Sequence, residues 1–281
     1  MGEGKSADIP LFYKNRVYPL SGVGDDRGVN NLFSNITKMK ETIINGKYKL
    51  ILPDHRADRP EWDIKRGGWE VERIDAMLSI LKKGDLVLDV GTEEGDISAL
   101  LAQKSENIVM FEPNPRVWSN IKAIWEANKL KNPIACWVGF AANQNDYKGD
   151  FNVKPFEFPE CANGPLISDH GFKELSKEYD VVPQIKIDTL MTMVYAVREQ
   201  PVKLITIDVE GSEFEVLKGA EETLRDDHPN VFVSVHPEFM FAQFGNYTAE
   251  LTNFMKDRGY SFEILAFDHE YHFWFKYNET K

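Results

Sequence analysis

Three carboxylates crowd into Ile207-Asp208-Val-Glu210-Gly211-Ser-Glu213, immediately after the apolar run Lys203-Leu-Ile-Thr-Ile-Asp208. A second run, Val231-Phe-Val-Ser-Val-His236, closes on His236-Pro-Glu238. A charged side chain that ends a buried strand needs a reason. Acids and an imidazole at such ends suit removal of a proton from an attacking hydroxyl, and His236 has the reference pKa nearest neutrality. Asp208, Glu210 and His236 are therefore the candidate catalytic groups. Glu213, Glu238 and His170 (from Asp169-His-Gly171) are assigned to acceptor binding, although Glu213 in the first turn of a helix is better explained by the helix dipole. Asp208, Glu210 and His236 also have the donor chemistry of a Mg or Mn site. A divalent metal is thus an alternative, and the reading without one is preferred.

A second constellation lies upstream. The run Asp85-Leu-Val-Leu-Asp-Val90 leads into Asp89-Val-Gly91-Thr-Glu93-Glu94-Gly95, and Glu112-Pro113 ends the next run, Asn107-Ile-Val-Met-Phe-Glu112. Two glycines after a buried strand let backbone amides approach a ligand, and an acid about 20 residues further on receives ribose hydroxyls. The loop lacks the G-x-G-x-x-G spacing that admits a pyrophosphate, and Glu93 and Glu94 would oppose one. A phosphate-free, cationic adenosyl donor, S-adenosylmethionine, fits better than NAD. The expected donor-binding residues are Asp89, Gly91, Glu93, Gly95, Glu112, Pro113 and Asp208, with Asp89 anchoring the ammonium. The sulfonium loses its charge in the transition state, so carboxylates beside sulfur would oppose reaction. Glu210 or Glu213 is therefore expected to hold acceptor hydroxyls or organise its loop.

These residues need a sheet to position them. Apolar spacing predicts helices over Val71–Leu81, Ile97–Gln103, Arg116–Leu130 and Thr248–Asp257, alternating with strands at Asp85–Val90, Asn107–Glu112, Pro133–Ala141, Lys203–Asp208 and Val231–His236. Ser212 and Glu215 have capping-box spacing before another helix. Tyr260–Phe267 and Tyr271–Tyr277 are separated by Asp268-His-Glu270, too short for a crossover, so they pair antiparallel. The expected fold is α/β: a Rossmann-like, seven-stranded, mostly parallel doubly wound sheet with a C-terminal antiparallel hairpin. Residues 1–68 read as an N-terminal cap or extension, with a helix around Asn31–Ile44 and a strand at Tyr48–Leu52; residues 69–281 read as the main domain. Within it, 149–190 interrupts the alternation as a substrate-side insertion in which Asp188 orders the chain. Trp62, Trp69, Phe156 and Phe158 could stack on an acceptor, although core packing accounts for most such residues.

Composition bounds the partners. The 281 residues carry 33 Lys+Arg against 45 Asp+Glu, a formal charge of −12, which repels phosphate backbones and anionic lipid. General nucleic-acid binding is not expected. No apolar run reaches the ~18–20 residues of a membrane span. The two cysteines, Cys136 and Cys161, have neither metal nor redox-pair spacing, which suits a reducing cytoplasm. Gly2 and Ser6 match the bare myristoylation pattern, and a plain flexible terminus explains them better. A homodimer is compatible with the sequence.

Taken together, Asp208-x-Glu210-Gly211-x-Glu213, the Asp89–Gly95 loop, Phe111-Glu-Pro113 and Ile187-Asp188-Thr-Leu190 resemble the FkbM family of methyltransferases over roughly residues 69–281. That resemblance implies a class I methyltransferase fold and O-methylation of a sugar, glycan or polyketide-type hydroxyl. One departure is Glu93, where the family commonly has Asn. The competing readings are an N-methyltransferase acting on protein or nucleic acid, and a non-catalytic S-adenosylmethionine-binding protein.

Overall fold

The computed structural model of the chain describes residues 38–147, 157–159, 183–196, 200–268 and 270–278. Strands β1 (Met39–Ile44) and β2 (Tyr48–Pro53) form an antiparallel hairpin. The helix expected over Asn31–Ile44 is therefore corrected for Met39–Ile44. Asn45 and Gly46 both take positive φ, a turn that an Asn-Gly pair favours and that closes a hairpin. A short helix α1 (Asp54–Ala57) follows, then α2 (Val71–Ile80).

The alternating region runs β3 (Leu86–Val90), α3 (Asp96–Ser105), β4 (Asn107–Phe111), α4 (Trp118–Asn128) and β5 (Ala135–Trp137). The strand expected over Pro133–Ala141 is broken in two. β6 (Phe140–Ala141) leaves the sheet to pair with β7 (Gln184–Ile185). Gly139 permits this, since a Cβ there would stand 2.4 Å from the Pro183 carbonyl oxygen. Next come α5 (Ile187–Tyr195), β8 (Val202–Ile207), α6 (Glu213–Lys218), α7 (Glu221–Asp227) and β9 (Asn230–Val235). The described chain ends with α8 (Pro237–Phe244), α9 (Thr248–Asp257), β10 (Tyr260–Phe267) and β11 (Tyr271–Tyr277). Most of the 149–190 insertion, with Phe151, Phe156 and His170, lies outside the described residues.

The sheet has seven strands in the order β10-β11-β9-β8-β3-β4-β5. The neighbours from β9 to β5 are parallel, and β11 runs antiparallel to both β9 and β10. This is the mostly parallel sheet with a terminal hairpin that the sequence predicts. The chain order reverses between β3 and β8, and open α/β sheets bind ligands at the carboxyl ends of such strands.

Alternation sorts the side chains. Leu86, Leu88 and Val90 join one core with Ile205, Ile207, Val231, Val233 and residues of α5, α6, α7 and α9. Val87, Leu204 and Phe232 face the other core, shared with α2, α3, α4 and with Ile44, Leu50, Leu52 and Trp62. The described part of the N-terminal segment is thus built into the second core. On that same side the parity continues through Asp89, Thr206 and Ser234 to Asp208 and His236, so the apolar columns become polar at their carboxyl ends.

The capping box expected at Ser212 and Glu215 does not form. Ser212 has φ −100° and ψ 15°, outside the extended region an N-cap needs, and its side chain makes no cap bond. Glu213 accepts the Gly211 amide at 2.8 Å instead, while Glu215 is engaged by Asn143, Lys218 and Asn246.

Candidate active site

The loop after β3 is shaped by contact with β8. Gly91 has φ +85°, and a Cβ on it would lie 1.8 Å from the Asp208 carbonyl oxygen. Only glycine lets these two strand ends approach so closely. Gly95, also at positive φ, packs against Ile121 of α4. Asp89 is buried, hydrogen-bonded by Ser98 Oγ and approached by Thr92 Oγ1 at 3.3 Å. Burial pushes its pKa up, against the Ser98 hydrogen bond and the field of Arg73.

Glu112, just past β4, turns both carboxylate oxygens to backbone amides: Oε2 accepts from Glu93 N at 2.9 Å and Oε1 from Asn114 N at 2.7 Å. Burial nevertheless raises its pKa to about 8. Each oxygen retains a lone pair, so the group can still accept ribose hydroxyls. Pro113 is partly exposed beside it.

The acids of the loop face Arg56 and His55 of α1, a pairing that no local pattern signals. Arg56, 8% exposed, donates to both oxygens of Glu93 at 3.1 and 3.0 Å and through Nε to Asp96 Oδ2 at 2.7 Å. His55 Nε2 and Asn120 Nδ2 both reach Glu94 Oε2, at 2.7 and 2.8 Å. Glu93 thus reaches the site through its backbone, while its side chain is committed to Arg56.

Beyond β8 the structure assembles a denser cluster. Arg73 of α2, buried, donates to Glu70, to Asp208 Oδ2 at 3.2 Å and to Thr206 Oγ1 at 2.7 Å. Burial raises the Asp208 pKa well above the ordinary carboxylate range, opposed by Arg73 and reinforced by the nearby Glu270 and Glu70. His236 is 5% exposed and clamped between acids. Its Nδ1 lies 2.9 Å from Glu213 Oε1, and its Nε2 lies 2.9 Å from Glu270 Oε2 and 3.6 Å from Glu210 Oε2. Burial alone would discharge the ring, but the bonds to Glu213 and Glu270 outweigh it and hold the pKa up at about 11. An imidazolium at neutral pH has no lone pair to offer as a base. Burial pushes Glu270 up, and His236 outweighs it, leaving Glu270 below its ordinary value.

The structure therefore brings Asp208, Glu210, Glu213 and His236 together, and adds Glu70, Arg73 and Glu270. Asp208, Glu210 and His236 each present a ligand atom within 4.8 Å of the others, as do Glu70, Asp208 and Glu270. The carboxylates of these sets could hold a divalent cation, whereas a protonated His236 offers it no donor. Glu238 stands apart, exposed on the first turn of α8. Glu210 takes φ +54°, its carbonyl held by Gln243 Nε2 at 2.9 Å, which turns its half-exposed side chain toward solvent. Trp62 and Trp69 make an edge contact with each other under Arg59, and Phe158 contacts Trp125. These three rings are used in packing.

The FkbM methyltransferase domain matches residues 89–262, more than half of the chain, which takes in Asp89–Gly95, Glu112, Asp208–Glu213 and His236 but not Arg56, Glu70, Arg73 or Glu270. The chain belongs to the FkbM methyltransferase family. No curated protein matches it. Among solved structures it is similar to the FkbM methyltransferase of Methylobacillus flagellatus KT, with 15% identity and a TM-score of 0.45 over 79% of this chain and 62% of that one. This FkbM-family chain therefore spans less than two thirds of that relative's length. It is also similar to an rRNA methylase from Streptococcus thermophilus, with 9% identity and a TM-score of 0.44 over 73% of this chain and 93% of the other. No helix among the described residues of this methyltransferase is long and apolar enough to cross a membrane.

One signal for the missed cluster residues was present in the sequence. Arg73 lies four residues before Met77, on the apolar stripe of α2, where an unpaired charge would be costly. Glu70 is three residues before Arg73 and pairs with it.

Proposed function

We propose that this methyltransferase moves the methyl group of S-adenosylmethionine to a hydroxyl of a sugar, glycan or related polyol, with Asp208 as the base. The observation that carries this reading is the position of Asp208: its backbone closes on Gly91 of the donor loop, and its carboxylate has a raised pKa. A base whose pKa approaches the working pH is better matched to an alcohol than an ordinary carboxylate. The acceptor O–H passes its proton to Asp208 as oxygen attacks the methyl carbon. The carbon–sulfur bond breaks, and its electron pair returns to sulfur as a neutral thioether. Glu112 accepts the ribose hydroxyls, and the half-exposed Glu210 receives a further acceptor hydroxyl. His236 is a positioning residue that keeps Glu213, Glu210 and Glu270 in place. A divalent ion on Asp208, Glu210 and His236 would first have to displace the His236 proton, so the assignment proceeds without one. A polyol acceptor agrees with a site rich in hydrogen-bond acceptors, and the net charge of −12 disfavours a phosphate-rich one. The cysteine usage agrees with a cytoplasmic setting.

Calorimetric titration with S-adenosylhomocysteine tests the donor. Wild type should bind, and Gly91→Ala, which drives a methyl into the Asp208 carbonyl, should not. A radiolabelled methyl screen over nucleotide sugars and glycans tests the acceptor. Label entering only amines or RNA, or full turnover by Asp208→Asn, would sink the corresponding part of the assignment.

A further inference from the structure

His272 lies on β11, 1% exposed, directly opposite Ser234 of β9. Ser234 Oγ stands 3.1 Å from its Nδ1, which fixes the ring and turns Nε2 toward the turn that opens the strand. That Nε2 is buried and has no hydrogen-bond partner. The nearest oxygens are carboxylate: Asp268 Oδ2 at 3.6 Å and Glu270 Oε1 at 3.8 Å. Asp268 and Glu270 of the link before β11 and His272 of β11 present one ligand atom each, all within 4.8 Å of one another.

In the tautomer that donates from Nδ1 to Ser234 Oγ, the Nε2 lone pair faces two carboxylates. That arrangement offers a cation three donors at once. The spacings are too long for direct hydrogen bonds, but donors on one small divalent ion stand roughly 3 to 4 Å apart. The serine on the far ring nitrogen is the outer support that ligating histidines ordinarily have. We propose that Asp268, Glu270 and His272 form a site for a divalent first-row cation, separate from the Asp208–Glu210–His236 set. One imidazole with two carboxylates favours manganese or zinc over magnesium, and the remaining positions are left to water. Glu270 is shared, since its other oxygen faces His236, so occupancy of this site changes the clamp on that ring.

The test needs no acceptor. The full chain is stripped with chelator and titrated with Mn²⁺ as the sole added metal, followed by electron paramagnetic resonance. The expected result is saturable binding with nitrogen coupling from an imidazole. His272→Gln should remove the coupling and weaken binding by about tenfold or more. Asp268→Asn, at an exposed position that keeps its backbone acceptor, should weaken binding by a similar factor even if the buried histidine variant folds poorly. Asp208→Asn should keep the wild-type coupling. Absence of Mn²⁺ binding in wild type overturns the proposal. So does undiminished binding by Asp268→Asn, or loss of the coupling in Asp208→Asn, which would place the ion at the other cluster.

Discussion

The two halves of the crevice balance their charge differently. Around the donor loop, Glu93, Glu94 and Asp96 meet Arg56, His55 and Asn120, while Glu112 is held by two backbone amides. Around Asp208 and His236, five carboxylates surround one guanidinium and one imidazole. In the first half Asp96 Oδ1 is still buried without a hydrogen bond, so compensation there rests on Arg56 and on neutral donors. Among the described residues both halves gather more carboxylate than cation, the first beside α1 and the second between α2 and the terminal hairpin.

The largest break in that comparison comes from unbalancing the first half. Arg56→Ala leaves Asp96, 2% exposed, without its cation, and removing one partner of a buried pair costs about 3–5 kcal/mol. Denaturant unfolding should show this loss, accompanied by weaker S-adenosylhomocysteine binding. An unchanged midpoint would mean that α1 does not hold the loop.

A smaller effect comes from the second half. His236→Gln should cost about 1.5–3 kcal/mol at pH 7, the range for hydrogen bonds to charged groups. Its pH dependence is diagnostic. The folded pKa of about 11 lies above the ordinary value of 6.5, so the imidazolium contribution is full below pH 6.5 and lost as pH rises through 11. The gap between wild type and variant should therefore narrow between pH 7 and pH 10. A constant gap would show that the ring is neutral and restore it as a candidate base.

The smallest effect sharpens the first half. Glu112, with a pKa of about 8, is largely protonated at pH 7 in the free protein. Ribose hydroxyls favour its carboxylate form, so S-adenosylhomocysteine affinity should rise as pH climbs through 8. Glu112→Gln should flatten that rise and cost about tenfold at pH 9. A pH-independent wild-type affinity would remove Glu112 from ribose binding.

What the sequence makes legible follows from how local each signal is. Gly91, Gly95, Glu112, Asp208 and His236 each terminate or follow an apolar run, so strand periodicity alone places them at one edge of the sheet. The protonation state of His236 is not local. It depends on Glu213, 23 residues away in sequence, and on Glu270 from the terminal hairpin. Arg56 and Glu93 are 37 residues apart, and nothing in either segment names the other. The β1 hairpin is a different failure, because the Asn45-Gly46 turn is a local signal and helical spacing over the preceding residues masks it. The Ser212–Glu215 box has the right spacing, but the Glu210–Gly211 turn, pressed on Phe239 of α8, leaves Ser212 in the wrong backbone region.

The docking of β1, β2 and α1 has a consequence for motion. The hairpin shares its apolar contacts with α3 and α4, and α1 grips the turn that leads into α3, so neither piece can loosen without exposing part of the other. Amide exchange in the hairpin and in the Glu93–Gly95 turn is then governed by one shared opening. Motion of the loop after β3 then follows the breathing of β1, β2 and α1.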